Sequence, residues 1–302
     1  MPENPALELT QVPFFPQTIH QCGPAALATV LNWSGAATTP EALTPQVYIP
    51  DRRGSLTVEL VSATRRAGRI PYQPALDADG LIAEVRAGNP VLVFQDLGIA
   101  WLHSWHYAVV VGYDPGGDVF ILRSGTNRRS LERKQRFLDS WERGERWGML
   151  AMPPDRLPAG ATPEDVVRTL ENSREFLPAG APAQAYAVAL GRWPDDPILL
   201  FAAANDDYAA GRLTDAEHLY RHLLAGSPGH IAGRNNLANL LLDRSCAADA
   251  VEAARAALAE LDRNPGANND FRDAVNETLA RSLALKQTMT PGEPCGRGAS
   301  PD

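Results

Sequence analysis

The sequence predicts an α+β domain followed by an all-α domain built of helical repeats. Upstream of residue 153, short runs rich in Val, Ile, Phe and Tyr are bounded by Gly, Pro or Asp, which is typical of β-strands. Downstream, after a segment rich in Pro and Gly, the chain becomes Ala-rich with helical periodicity. The predicted parts are a first domain at 1–153, a linker at 154–163, helical repeats at 164–288 and a disordered tail at 289–302.

The composition is that of an ordinary globular protein. Of 302 residues, 44% are hydrophobic and 21% are charged, and this length suffices for two domains with real cores. The net charge of −8 argues against nucleic acid as a partner, because phosphate binding needs a basic face. No apolar run reaches the ~18 residues of a membrane span, and the N-terminus shows no signal peptide. The chain is therefore expected to be soluble, with export to the periplasmic side of a bacterial membrane left open.

The three cysteines are Cys22, Cys246 and Cys295. So few, and in an odd number, do not make a disulfide framework. A Cys246–Cys295 bridge is one interpretation, while free thiols are the more usual outcome for such a widely spaced set. The sequence therefore favours three free thiols.

The elements of the first domain are predicted from periodicity and from turn residues. Helices are expected at 22–32, 56–68 and 81–88, the last two ending at glycines that suit a helix C-terminus. Strands are expected at 90–95, 106–114 and 118–124. Because DPGG at 114–117 separates the last two strands, they are predicted to form an antiparallel hairpin. Helices first and an antiparallel sheet afterwards define an α+β arrangement.

The residues that carry chemistry begin with Cys22. It stands where a helix is predicted to begin, and unpaired N–H groups at a helix start favour a thiolate, so a depressed pKa is expected. Gly23 lets the chain turn sharply and lets a substrate carbonyl approach, and Pro24 suits the first helical turn. Gln17 precedes the cysteine by five residues and could aim its amide N–H at an oxyanion beside the backbone N–H of Cys22.

A cysteine nucleophile needs a base, and His106 is the candidate because it opens a predicted strand that would hold its ring rigidly. His103, in a loop, is the competing base. A buried thiol and a structural histidine are the alternatives for the two residues. No two histidines or cysteines have ligand spacing on one element, so no metal site and no cofactor are predicted. Trp101 and Trp105 are candidates either for lining a substrate groove or for packing beside the site.

Two motifs carry a resemblance to a known family. QTIHQCGPAALATVL at 17–31 and WHYAVVVGYD at 105–114 together resemble the double-glycine leader peptidases, papain-like cysteine peptidases that process bacteriocin precursors. The resemblance covers about 11–150. It implies a papain-like fold, a peptide or protein substrate, Cys22 as nucleophile, His106 as base and Gln17 as oxyanion donor.

The chain departs from this family at one position. The family places an Asp about sixteen residues after the histidine, whereas this chain reads ILRSGTN at 121–127, with no carboxylate. Hairpin register puts Ser124 nearest to the histidine, so it is the tentative orienter of the ring, with Asn127 and Asp96 as alternatives. The missing acid also leaves open a catalytically weak or inactive domain that only binds a leader or partner peptide.

The second domain shows a spacing of 34 residues. Pairs at this spacing are Tyr186 and Tyr220, Pro194 and Pro228, Ala204 and Ala238, and Ala216 and Ala250. The pattern resembles the tetratricopeptide repeat, with units at 195–228 and 229–265, a degenerate unit at 162–194 and a capping helix at 269–287. A plain helical bundle is the alternative.

The repeat domain is predicted to bind a protein partner in its groove. Asn235 and Asn236 resemble the asparagines with which repeat proteins hold a peptide backbone. A role in a helix cap or loop is the alternative for this pair.

Overall fold

A computed structural model describes residues 6–16, 21–99, 102–263 and 269–289 of the chain. The chain divides into two compact units, 1–185 and 186–302, and the division falls downstream of the linker predicted at 154–163. Within the described ranges, no helix is both long and apolar enough to cross a membrane.

The first unit is a mixed α/β structure built around an antiparallel sheet. Its strands run in the order β4-β9-β5-β6-β7-β8, with β1 paired to β6, while β2 and β3 form a separate hairpin. The strands are β1 Leu7–Glu8, β2 Tyr48–Ile49, β3 Gly54–Ser55, β4 Ile70–Tyr72, β5 Val91–Asp96, β6 Trp105–Asp114, β7 Val119–Ser124, β8 Asn127–Arg133 and β9 Gly148–Met152.

The helices of this unit accompany the sheet. They are α1 Cys22–Trp33, α2 Pro40–Val47, α3 Thr57–Arg66, α4 Ala78–Arg86, α5 Lys134–Arg143 and α6 Pro163–Glu171, with short 3-10 turns at Pro50–Arg52 and Arg174–Phe176. The three predicted helices and the predicted hairpin are present, since β6 and β7 pair antiparallel. The helices α2 and α5 and the strands β1 to β4, β8 and β9 were not anticipated.

Helix α1 occupies the centre of the core. Every residue from Gly23 to Leu31 is buried, and Leu27 and Leu31 belong to one cluster with Tyr107, Val109 and Val111 of β6. These three strand residues alternate along the chain and therefore share one face of the sheet. The many alanines of α1 allow close approach, so the first residue of the helix is held firmly against the sheet.

The segment predicted as a linker packs on the first unit. Glu84 in α4 is completely buried, and its carboxylate accepts the backbone N–H groups of Ala159 and Gly160 at 3.0 and 2.8 Å. Asn89 donates to the same carboxylate at 2.8 Å. Residues 159–160 therefore belong physically to the first unit.

The second unit is helical. Helix α7, Ala181–Arg192, contains the division between the units, and it is followed by α8 Pro197–Ala209, α9 Leu213–Gly226, α10 Ile231–Asp243, α11 Ala247–Arg263 and α12 Asn269–Thr288. Helices α8 and α9 pack as one pair and α10 and α11 as another, within the intervals predicted for two repeats. The relation to tetratricopeptide repeats stays a prediction.

The residues spaced by 34 explain how these helices pack. Ala204, Ala216, Ala238 and Ala250 are all completely buried, and Ala204, Ala216 and Ala250 lie in one core cluster with Tyr220. Small side chains at these positions let the helices approach closely. The repeated spacing is therefore a repeated packing contact.

The expectation of three free thiols is wrong for Cys246. Cys22 is a free thiol, whereas Cys246 is disulfide-bonded. Cys295, the partner considered for it from the sequence, lies outside the described residues. The tail predicted at 289–302 also lies outside them, except for Met289.

Candidate active site

The first unit carries an open cleft of about 960 Å³ at the start of α1. The hairpin of β2 and β3, the start of β6 and the turn after β7 form its walls. It is lined by Cys22, residues 52–56, Phe94, residues 103–107, Gly125 and Thr126. Both the predicted nucleophile and the predicted base therefore face one cavity.

Cys22 is the first residue of α1. Burial raises the pKa of its thiol, and hydrogen bonds from the backbone N–H groups of Tyr107, Gly23 and Cys22 itself lower it, but by less. The depressed pKa expected for this residue is therefore wrong. The helix start does supply N–H groups, but the same helix is embedded in the core, where a thiolate loses its water.

His106 is the second residue of β6. Its Nε2 lies 2.8 Å from the hydroxyl oxygen of Ser124, the last residue of the neighbouring strand β7. Burial lowers the pKa of His106 to about 4, so the ring is neutral near neutral pH. The predicted orienter and the predicted base are thus in hydrogen-bonding contact, while the catalytic role of Ser124 stays a prediction.

Asp96 does not orient His106, which excludes one of the alternatives. It ends β5 opposite Trp105, and its Oδ2 lies 2.6 Å from Nδ1 of His103. Burial would raise the pKa of Asp96, but the hydrogen bonds from His103 and from the backbone N–H groups of Ser104 and Gly98 outweigh burial and lower the pKa to about 2. Asp96 therefore holds the competing base, His103, and also binds the backbone N–H groups of Gly98 and Ser104.

Asn127, the remaining alternative, begins the edge strand β8. It pairs with Ser124 across the turn and is exposed. The turn itself uses Gly125 in a left-handed conformation, with φ of 59°. Of the three candidates, Ser124 is the one whose side chain contacts the His106 ring.

Aromatic rings form one wall of the cleft. The ring of Trp105 stacks on Phe94 at 5.1 Å and on His103 at 5.1 Å. Trp105 is nevertheless 51% exposed. Trp105 therefore both lines the cleft and packs on neighbouring rings, while its role in binding substrate stays a prediction.

Ser55 was not anticipated as part of this site. Its Oγ is buried and has no hydrogen-bond partner within the described residues, while its carbonyl accepts from the Tyr107 hydroxyl at 3.2 Å. The side chain presses against Gly23, next to the nucleophile. The only sequence signal at this position is the pair Gly54-Ser55 before a helix. That pair predicts a helix start and does not predict a contact with the site.

Two residues considered from the sequence, Gln17 and Trp101, lie outside the described residues. The oxyanion role of Gln17 stays a prediction. Among the described residues, no group of three or more His, Cys, Asp and Glu side chains is arranged to hold a metal ion.

Asn235 and Asn236 lie inside α10, so neither a helix cap nor a loop explains them. Asn236 donates to Oδ1 of Asn205 at 2.9 Å, and that oxygen also accepts from the Tyr220 hydroxyl at 2.6 Å. The Oδ1 of Asn235 is buried without a partner among the described residues. Their role in binding a partner stays a prediction.

Replacing Gly23 with Ala is expected to destabilise the fold by about 1–3 kcal/mol. A Cβ at this position would lie 2.4 Å from Oγ and 2.6 Å from Cβ of Ser55. The gain of up to about 1 kcal/mol from replacing a helical glycine is smaller than this clash. Urea denaturation measures the effect, and the double variant with Ser55→Gly should recover most of it. A Gly23→Ala chain as stable as the parent would contradict the contact.

The stability of the fold is expected to decrease as the pH falls from about 6.5 to about 4, in part because of His106. Its pKa is lowered by burial from 6.5 to about 4, so the unfolded state binds a proton in this window while the folded state does not. Stability therefore rises with pH across the window, by up to about 3 kcal/mol. Urea unfolding near pH 7 and near pH 5 measures it, and the change should be smaller in His106→Gln. An identical pH dependence in that variant would contradict the assignment.

Comparison with known proteins finds similarity within the first unit. Residues 9–148 match the model of the family described as "Peptidase_C39 like family", an interval that contains Cys22, His106 and Ser124. The match confirms the family resemblance predicted for about 11–150. At the level of the family, this region is similar to cysteine peptidases. No curated protein matches the chain.

Two solved structures are similar to this part of the chain. A putative C39-like peptidase from Bacillus anthracis is 14% identical with a TM-score of 0.42, covering 49% of this chain and 98% of its own. The peptidase domain of Streptococcus ComA, a bifunctional ABC transporter involved in a quorum sensing pathway, is 22% identical with a TM-score of 0.39, covering 47% of this chain and 99% of its own.

Proposed function

We propose that this protein is a cysteine peptidase in which Cys22 is the nucleophile and His106 the base. The observation that carries the proposal is the shared cleft. Cys22 begins a buried helix there, and His106 faces the same space with its Nε2 held 2.8 Å from Ser124. The substrate is a peptide or protein, cut after a pair of glycines as the family resemblance implies.

The protonation states of Cys22 and His106 determine when the proton moves during the reaction. Burial raises the pKa of the Cys22 thiol and lowers that of His106 to about 4, so the resting pair is a neutral thiol and a neutral imidazole. As sulfur attacks the peptide carbonyl, its proton passes to His106. The imidazolium then protonates the leaving amine as the C–N bond breaks, and water hydrolyses the remaining thioester.

Charge on the carbonyl oxygen needs donors in the transition state. The backbone N–H of Cys22 is one candidate at the start of α1, and the Gln17 side chain is the second. Ser124 orients the imidazole but, being neutral, stabilises imidazolium less than a carboxylate would. We therefore propose a weak or substrate-gated peptidase.

The alternative is a peptidase-like binding module. The observation that favours it is the serine where the family has a carboxylate, together with the low pKa of His106. In this alternative the cleft holds a leader or partner peptide without cutting it.

A thiol-directed peptidyl epoxide separates the two proposals. Near pH 7, a working site should alkylate Cys22 at least tenfold faster than free glutathione reacts, because binding and His106 both assist. Simple iodoacetamide, which gains little from binding, should react slowly because the Cys22 pKa is raised. Mass spectrometry locates the adduct, and no acceleration by the epoxide would favour the binding module.

We further propose that the second unit recruits the substrate. Its helix pairs α8–α9 and α10–α11 would bind an extended segment of the partner, as stacked helical repeats do. A chain ending after residue 185 should cleave a short peptide as the full chain does but an unfolded model protein less efficiently. An unchanged ratio of the two rates would rule out recruitment.

A further inference from the structure

The charged side chains among the described residues that line the cleft are all positive. Arg52 and Arg53 belong to its wall, and none of its described lining residues is Asp or Glu. This is notable in a chain whose net charge is −8. A basic cleft in an acidic protein attracts anionic ligands over uncharged ones.

Both guanidinium groups are available. Arg52 and Arg53 are exposed, and neither makes an ion pair or a side-chain hydrogen bond within the described residues. By contrast, Arg123 and Arg129 pair with Glu8. The arginines of the cleft are therefore not used to hold the fold together.

The hairpin that carries these arginines abuts the nucleophile. Tyr48 and Ile49 pair with Ser55 and Gly54, and Ser55 touches Gly23. Arg53 precedes Ser55 by two residues, a chain length of about 7 Å. Long side chains at this distance can reach a substrate residue close to the bond that Cys22 would attack.

The backbone of Arg53 supports a role for its side chain. It adopts a left-handed conformation with φ of 48° and ψ of 40°, and its N–H donates to the Pro50 carbonyl at 3.0 Å. Gly or Asn would adopt this turn at lower conformational cost. Arginine supplies what those residues lack, a planar donor group suited to carboxylates.

We propose that Arg52 and Arg53 select peptides that carry Asp or Glu within about three residues of the scissile bond. This selectivity rests on the proposed peptidase function, because only a peptidase has a scissile bond near which an acidic residue can be placed. The cleft would hold the acidic side chain at the hairpin while the peptide lies beside Trp105. Selection thus comes from a short hairpin rather than from the catalytic residues.

Binding to the full-length Cys22→Ala chain tests the proposal without cleavage. The probes are two fluorescent peptides with amidated C-termini that contain Gly-Gly and differ only in Glu or Gln two residues away. The Glu peptide should bind about tenfold more tightly, with a preference that weakens as salt rises. Amidation removes the terminal carboxylate, so a preference reports the side chain.

Variants assign the preference to the hairpin. Arg52→Gln with Arg53→Asn should abolish it, and asparagine tolerates the left-handed turn, so the melting temperature should not fall. Arg86→Gln with Arg255→Gln is the matched control, because it also removes two positive charges, from exposed positions outside the cleft. It should leave the preference intact.

Three results would overturn the proposal: equal affinity for both peptides, a preference that survives the double variant, or no binding of either peptide at about 1 mM. Cleavage is scored separately with the parent chain. If the preference holds but no cleavage occurs, the peptidase function fails and the acidic-peptide site stands. If cleavage occurs without a preference, only the selectivity fails.

Discussion

Replacing Cys22 with Ala is expected to lower kcat/KM by roughly 10⁴-fold or more while the chain stays folded. The reaction needs a sulfur atom at the start of α1, and Cys246 offers no free thiol because it is disulfide-bonded. The thiol is only partly buried, so its removal leaves at most a small cavity. Hydrolysis of a short fluorogenic peptide measures the loss.

Cys22→Ser is the companion variant, because it keeps the shape but replaces the sulfur with a weaker nucleophile. It should be nearly as inactive as Cys22→Ala, and both should melt close to the parent temperature. Residual activity within tenfold of the parent in either variant would mean that Cys22 is not the nucleophile.

His106→Ala is expected to lower kcat/KM by roughly 10³-fold or more, whereas His103→Ala should lower it by less than about tenfold. Both rings line the cleft, which makes His103 a matched control for His106. Nδ1 of His103 is engaged with Asp96 at 2.6 Å, and its exposed ring stacks on Trp105. His106 instead adjoins Tyr107, whose backbone N–H is one of the groups that lower the pKa of the Cys22 thiol.

Ser124→Ala refines this result. If the hydroxyl orients His106, its loss should lower kcat/KM by more than about threefold. A smaller change would mean that Cys22 and His106 work as a dyad. The reverse ranking of the histidines, with His103→Ala the more damaging, would transfer the role of base to the His103–Asp96 pair.

The fold was predictable where sequence pattern and burial coincide. Strands β6 and β7 are apolar runs separated by a turn-forming DPGG, and the structure pairs them as predicted. Strand β8 was missed because it reads NRRSLER and is mostly exposed, so no buried face marks it. Charged residues on such an edge strand prevent pairing with other chains, which hides the strand from a search for apolar alternation.

The site was predictable where motif and register coincide. The contact between Ser124 and His106 was predictable because the hairpin brings the end of β7 close to the start of β6, and pairing in adjacent strands is local. The role of Asp96 was not predictable, since it depends on tertiary contacts in which the His103 ring and the Ser104 N–H meet its carboxylate. The direction of the Cys22 pKa shift depends on how deeply α1 is buried, a tertiary property that the helix start alone does not reveal.

The carboxylate of Glu84 defines where the first unit can be shortened. Inside the protein it has no access to solvent, and the N–H groups of Ala159 and Gly160 supply two of its hydrogen bonds. A chain cut after residue 153, just beyond the strand β9, would keep every strand of the sheet yet leave a buried carboxylate short of donors. Such a loss costs about 1–3 kcal/mol, more for a charged group. The segment needed for a stable peptidase-like unit therefore extends past the interval that the family resemblance covers, to at least residue 160.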